Sequence, residues 1–196
     1  IANWKMFGSL SSLNSLDKVI NFLKRFKSNK FLRIIYCPPN TLIYPMSKKF
    51  INSKIKVGAQ NCHYNSDDGP FTGEINPSML KSVGASYIII GHSENRRTGD
   101  NNKLINLKIK NSIKSGLKVV LCIGETFQER KHRITNKVLS KQLYEGLKNI
   151  KNKKDIIIAY EPVWAIGTGL TPQSKKLSET IKFIKKKINK VKVLYG

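Results

Sequence analysis

The feature that most constrains this chain is an alternation: short β-branched apolar runs separated by longer segments of helical spacing. The runs cover residues 32–37, 56–60, 87–91, 118–123, 156–160 and 191–195. Each is too short for an ordinary helix, and their Ile and Val content favours buried strands. Between them, Leu16, Val19, Ile20 and Leu23 follow the i, i+3, i+4, i+7 rule. Leu104, Leu107 and, more loosely, Ile113 predict a second helix, and Ile181, Ile184 and Ile188 a third. Asn76-Pro77 reads as an N-cap followed by proline at the first helical position, and Gly116 as a helix stop. Such alternation implies an α/β domain built on a parallel sheet.

Two architectures satisfy that pattern: an open doubly wound sheet and a closed (β/α)8 barrel. No Gly-x-Gly-x-x-Gly joins a strand to a helix, so the dinucleotide signal is missing. Polar residues instead follow the C-terminal ends of several strands: Asn3 and Lys5, His92 and Glu94, Glu125, and Glu161. Convergence of many strand ends on one face is the barrel pattern.

Composition narrows the function classes. The 196 residues suffice for one domain with a core. No apolar run reaches the roughly 18 residues a membrane span needs, so no membrane partner is expected. Three cysteines, Cys37, Cys62 and Cys122, stand at wide, irregular spacing, which fits neither a disulfide framework nor a metal site. A reducing, cytoplasmic setting follows as an expectation. The formal charge of +24 would attract polyanions. The lysines, however, are scattered along the chain, and Lys, Asn and Ile all have A/T-rich codons. The expectation is therefore no nucleic-acid partner. The rival reading, a basic polyanion-binding protein, predicts steeply salt-dependent binding to nucleic acid and no catalysis.

Three segments carry chemistry. In Tyr160-Glu161-Pro162 a strand delivers a carboxylate to its end and proline fixes the backbone after it. An apolar stretch and Gly167-Thr168-Gly169 follow, as in a loop that closes over a site and excludes water. Spacing alone does not separate this from an ordinary strand–helix loop with an exposed glutamate. His92, just past a strand, has the chemistry of an acid, a base or a neutral donor; a lone histidine there is more readily structural. Asn3 and Lys5, two apart, share one side of an extended chain end. From there Lys5 could hold a phosphate or stabilise an enolate oxygen.

These residues stand in a wider set: Asn3-Trp4-Lys5-Met6, Gly58-Ala59-Gln60-Asn61, Phe71-Thr72-Gly73-Glu74, Gly91-His92-Ser93-Glu94, Cys122-Ile123-Gly124-Glu125, and the ten residues 160–169. In this order and spacing the set resembles the triosephosphate isomerase family over essentially the whole chain. The resemblance implies a TIM barrel, no cofactor, no metal and a small phosphorylated triose as substrate. It implies interconversion of dihydroxyacetone phosphate and D-glyceraldehyde 3-phosphate through an enediolate, in glycolysis and gluconeogenesis. That family pairs a carboxylate base with a neutral histidine electrophile. On the matching positions Glu161 is the base, His92 the electrophile, Lys5 the cation near the oxyanion and phosphate, and Asn3 its polar neighbour. Glu94 buttresses Lys5, Gly167 offers an N–H to the phosphate, and residues 162–171 form the lid. The loop from Asn61 to Gly73 implies a homodimer, with Thr72 near Asn3 and Lys5 of the partner subunit. Cys122 is implied to be inert, and Glu125 to be a structural ion-pair member. Another phosphosugar barrel enzyme is the alternative of the same class.

Three departures from the family pattern set further expectations. Asn95 precedes Arg96-Arg97, which leaves the partner of Glu125 open. The lid ends in Leu170-Thr171-Pro172, which bears on closing kinetics. A barrel of this kind needs roughly 250 residues. The expectation is therefore one domain over 1–196, truncated at both ends, with about seven βα units. Such a piece would be poorly soluble and poorly active by itself.

Overall fold

The computed structural model describes residues 1–25 and 32–196. Among them seven strands, β1 (Ala2–Asn3), β2 (Ile35–Cys37), β3 (Lys56–Ala59), β4 (Tyr87–Ile90), β5 (Lys118–Ile123), β6 (Ile156–Tyr160) and β7 (Lys192–Tyr195), form one sheet in sequence order. Every neighbouring pair is parallel. Among the described residues eight helices cover it: α1 (Leu16–Arg25), α2 (Ile43–Lys49), α3 (Pro77–Ser82), α4 (Ser93–Arg97), α5 (Asn102–Lys114), α6 (Phe127–Lys131), α7 (Thr135–Gly146) and α8 (Ser174–Lys187). This is an incomplete (β/α)8 barrel: strands in sequence order, helices outside, strand C-terminal ends on one rim.

Strand pleating sorts the side chains into two layers. Ile88, Ile90, Val119, Leu121, Ile123, Ile156, Ile158 and Tyr160 join the larger core cluster, packed with Ile105, Ile109, Leu139 and Ile184 from the helices. The residues of opposite parity, Tyr87, Ile89, Val120, Cys122 and Ala159, gather with Ile35 and Cys37 in a second cluster on the other face. Burial of one such aliphatic side chain contributes about 1.5–3 kcal/mol. The parity has a consequence for the site. Glu161 continues the series Ile157, Ala159 and so belongs to the inner face, whereas Glu125 continues Ile123 toward the helices.

The expected strands are all present, shortened by one to three residues at some ends. Asn76 caps α3, accepting from the Met79 N–H at 2.8 Å through its side chain. Gly116 follows α5 with φ +77°, the left-handed conformation of a helix stop. The predicted face of α5 needs correction. Leu107 is exposed, and the buried stripe is Ile105, Ile109 and Ser112. The helix also buries polar side chains. Asn106 donates to the carbonyls of Gly146 and Lys148, and Lys108 pairs with Asp100 at 2.7 Å.

Candidate active site

The first strand ends at Asn3, whose Oδ1 accepts the Lys5 main-chain N–H at 2.9 Å. Lys5 itself has φ +52°, a left-handed conformation that is strained for a side chain with a Cβ. Gln60, just past β3, holds this turn by donating to the carbonyls of Lys5 (2.9 Å) and Cys37 (2.8 Å). The Lys5 ammonium meets Glu94 Oε1 at 2.8 Å. The hydrogen bond from Lys5 is the main cause that lowers the Glu94 pKa; partial burial opposes it and His92 adds to it.

His92 leaves β4 and caps α4. Its Nδ1 accepts the backbone N–H of Glu94 at 3.3 Å. Glu94 Oε2 also lies 3.5 Å from Nδ1. The backbone bond decides the tautomer, because an acceptor nitrogen carries no proton; the ring proton sits on Nε2. The imidazole is 6% exposed. Its Nε2 points at Glu161 Oε2, 3.6 Å away and beyond hydrogen-bond range.

Glu161 stands at the mouth of the inner face. Oε1 accepts from the Cys122 thiol at 3.4 Å, and Oε2 is buried without a partner. A buried, unpaired carboxylate oxygen aimed at a donor is the arrangement a proton acceptor needs. Burial, reinforced by Glu161, pushes the Cys122 thiol well above its ordinary pKa, so it stays protonated as a donor. Backbone geometry fixes the carboxylate. The Glu161 N–H donates to Ile123 O at 2.9 Å. A Cβ on Gly124 would lie 1.8 Å from the Glu161 carbonyl oxygen, so only glycine fits there.

Beyond Glu161, Val163–Ala165 makes one 3-10 turn, and Gly167 and Gly169 adopt φ +70° and +72°. Thr168 Oγ1 donates to the Trp164 carbonyl and accepts the Leu170 N–H. The segment is tethered through Trp164, whose indole N–H donates to Glu125 Oε1 at 3.0 Å. Glu125 is fully buried and also accepts from the Tyr160 hydroxyl, which burial and Glu125 push above the usual phenol pKa. Arg130 approaches Glu125 at 3.4 Å and stacks 4.2 Å over the Trp164 ring. Arg130 is thus the cation at Glu125, the place that Asn95 left open. Arg96 turns instead to the carbonyls of Gly91 and Cys122 and to Asn102.

The fold brings Lys5, His92, Glu94 and Glu161 together on one rim and places Gly167 on the loop beside them. Two further contributors, Gln60 and Trp164, have no role assigned by the sequence. Gln60 stands in the Gly58–Asn61 motif, but its partners are backbone carbonyls distant in sequence. Trp164 stands in the lid, and its tether to Glu125 needs the fold.

A family model described as triosephosphate isomerase matches residues 1–196. A triosephosphate isomerase of Chlorobium luteolum is 50% identical over 145 residues, covering 74% of this chain and 56% of that protein. One of Dictyoglomus thermophilum is 39% identical and covers 100% of this chain and 82% of its own length. The solved triosephosphate isomerase of Bartonella henselae superimposes with a TM-score of 0.88 at 34% identity, over 100% of this chain and 80% of that one.

The chain belongs to the triosephosphate isomerase family. The function that comes with this membership is the interconversion of dihydroxyacetone phosphate and D-glyceraldehyde 3-phosphate, an intramolecular aldose–ketose isomerisation. Within the triosephosphate isomerase fold no helix among the described residues is long and apolar enough to cross a membrane.

Proposed function

We propose that Glu161 is the base of this reaction and His92 its electrophile, with Lys5, Glu94, Asn3 and Gly167 in supporting roles. The observation that carries the reading is the buried, unpaired Oε2 of Glu161 facing Nε2 of His92. The Glu161 carboxylate takes the proton from the carbon beside the substrate carbonyl. The electron pair moves onto the carbonyl oxygen, giving an enediolate, and the His92 Nε2–H and the Lys5 ammonium stabilise that oxygen. The hydroxyl proton on the deprotonated carbon passes, by way of His92 Nε2, to the former carbonyl oxygen, and Glu161 then returns its proton to the carbon that had carried the carbonyl. Glu94 fixes Lys5 through their 2.8 Å pair, Asn3 fixes its main chain, and Gly167 offers its N–H to the phosphate.

Residues 162–171 act as a lid that excludes water from the enediolate, and the Trp164–Glu125 bond holds it in the described position. We infer further that the protein works as a homodimer in a reducing cytoplasm. Residues 67–73 of the loop from Asn61 to Gly73 are exposed, and the ring of His63 packs 4.2 Å from Tyr64 and 4.5 Å from Phe71. Beside Lys5, Met6 and Phe7 are 94% and 74% exposed, an apolar strip suited to cover by a second copy. The free, buried state of Cys37, Cys62 and Cys122 suits reducing surroundings.

The test runs the full-length protein in D2O with either triose phosphate. Proton transfer through a solvent-exchanging base places deuterium on the carbon beside the carbonyl, and Glu161→Gln abolishes both exchange and turnover. Exchange or turnover retained in Glu161→Gln overturns the assignment.

A further inference from the structure

The opposite end of the barrel carries a cavity of about 650 Å³, within the range of small-ligand sites. It opens between the C-terminal ends of α7 and α8 and the loop that enters β6. Glu161 lies at the other end of that strand, roughly 15 Å away at the rise of an extended chain. The walls divide by chemistry. Leu143, Leu147, Ile150 and Ile188, all buried, make an apolar floor. Lys148, Lys151, Lys153 and Lys187 stand around it, with the exposed ring of Tyr144.

Among the described residues none of these four lysines makes an ion pair, and Lys187 Nζ rests 5.6 Å over the Phe183 ring. Among the described residues no acidic side chain lines the cavity. The nearest one in the chain before the loop, Glu145, is engaged by the Asn102 amide at 2.7 Å. Two helix C-termini face the opening, each contributing roughly half a negative charge. Four ammonium groups outweigh them. Lysines serving only as helix-end complements would not require an apolar floor beneath them.

We infer that this cavity is a binding site for a single amphiphilic anion, an organic phosphate whose acyl or aromatic body rests on the floor while its charged end meets the lysines. The ligand is a free molecule and not a bilayer, because the apolar surface is recessed inside the ring of lysines and not raised above it.

The test titrates the full-length protein with dodecyl phosphate below its micelle-forming concentration, followed by calorimetry. One molecule per chain is expected to bind. The affinity should fall at least tenfold in the triple variant Lys148→Gln/Lys151→Gln/Lys187→Gln, and at least tenfold when octyl phosphate replaces the dodecyl probe. Isomerase turnover in the triple variant should match that of the parent, which separates this site from the catalytic one. Unchanged affinity in the triple variant, equal binding of zwitterionic dodecylphosphocholine, or binding to anionic vesicles with none of the monomeric probe would each overturn the proposal.

Discussion

Glu161 Oε2, a buried atom, and His92 Nε2 face each other across 3.6 Å and are not bonded to one another. The gap is set from two sides. The Glu94 N–H holds the far nitrogen of the imidazole, and the Ile123 carbonyl and Cys122 thiol hold the glutamate. A base and a donor that meet without pairing remain available to a substrate between them.

Loss of the His92 donor should be felt in the chemical step. His92→Gln is expected to lower kcat by about 10²–10³, the usual effect of removing one donor from a developing oxyanion. Steady-state kinetics in both directions measure this, with thermal unfolding as a control for folding.

The Lys5–Glu94 pair predicts a pH signature. Lys5 holds the Glu94 carboxyl below its ordinary pKa in the folded protein. The pair's contribution to stability is therefore present above the ordinary value and lost as pH falls through the lowered one. Both side chains are more than a third exposed, so solvent screening keeps the contribution to about 1 kcal/mol or less. Glu94→Gln should lower Tm at pH 7 by a margin that shrinks as pH falls through the lowered Glu94 pKa. A margin that persists at acid pH would show that the pair is not its source.

Gly124→Ala should disable both the fold and the site. The added Cβ overlaps the Glu161 carbonyl at 1.8 Å, a backbone atom with no room to retreat. A loss of at least about 3 kcal/mol, the upper end of overpacking effects, is expected in urea unfolding. Gly73→Ala, where nothing lies within 4 Å but φ is +84°, should show only the smaller cost of backbone strain, about 1 kcal/mol.

Trp164→Phe removes the lid's hydrogen bond to buried Glu125 while keeping an aromatic ring beneath Arg130. A hydrogen bond to a charged group contributes about 1.5–3 kcal/mol. Faster amide hydrogen exchange is expected at 163–170, with exchange in β5 and β6 unchanged. Equal exchange throughout would remove Glu125 as the tether.

Much of the fold is legible in the sequence because it rests on local signals. Runs such as Ile156–Tyr160 are buried on both faces and so read as continuous apolar stretches. The face of α5 is not legible in this way. Leu104 and Leu107 look like core, whereas the buried side chains of Asn106 and Lys108 find partners distant in sequence, the Gly146 carbonyl and Asn61. In the site, the family resemblance singles out Glu161 and His92, since spacing alone leaves each with an ordinary reading. Strand parity separates Glu161 from Glu125, a signal present in the sequence once β5 and β6 are registered. Gln60 and Arg130 are not legible as contributors. The first acts on carbonyls of other strands, and the second takes the place at Glu125 that the arginines after Asn95 leave open.

The most direct measurement is the turnover of D-glyceraldehyde 3-phosphate by the full-length protein beside its Glu161→Asp variant. Withdrawing the carboxylate by one methylene, roughly 1 Å, should lower kcat by about a hundredfold or more, with KM changed by less than about threefold. Equal turnover in the two proteins would contradict the assignment of Glu161 as the base.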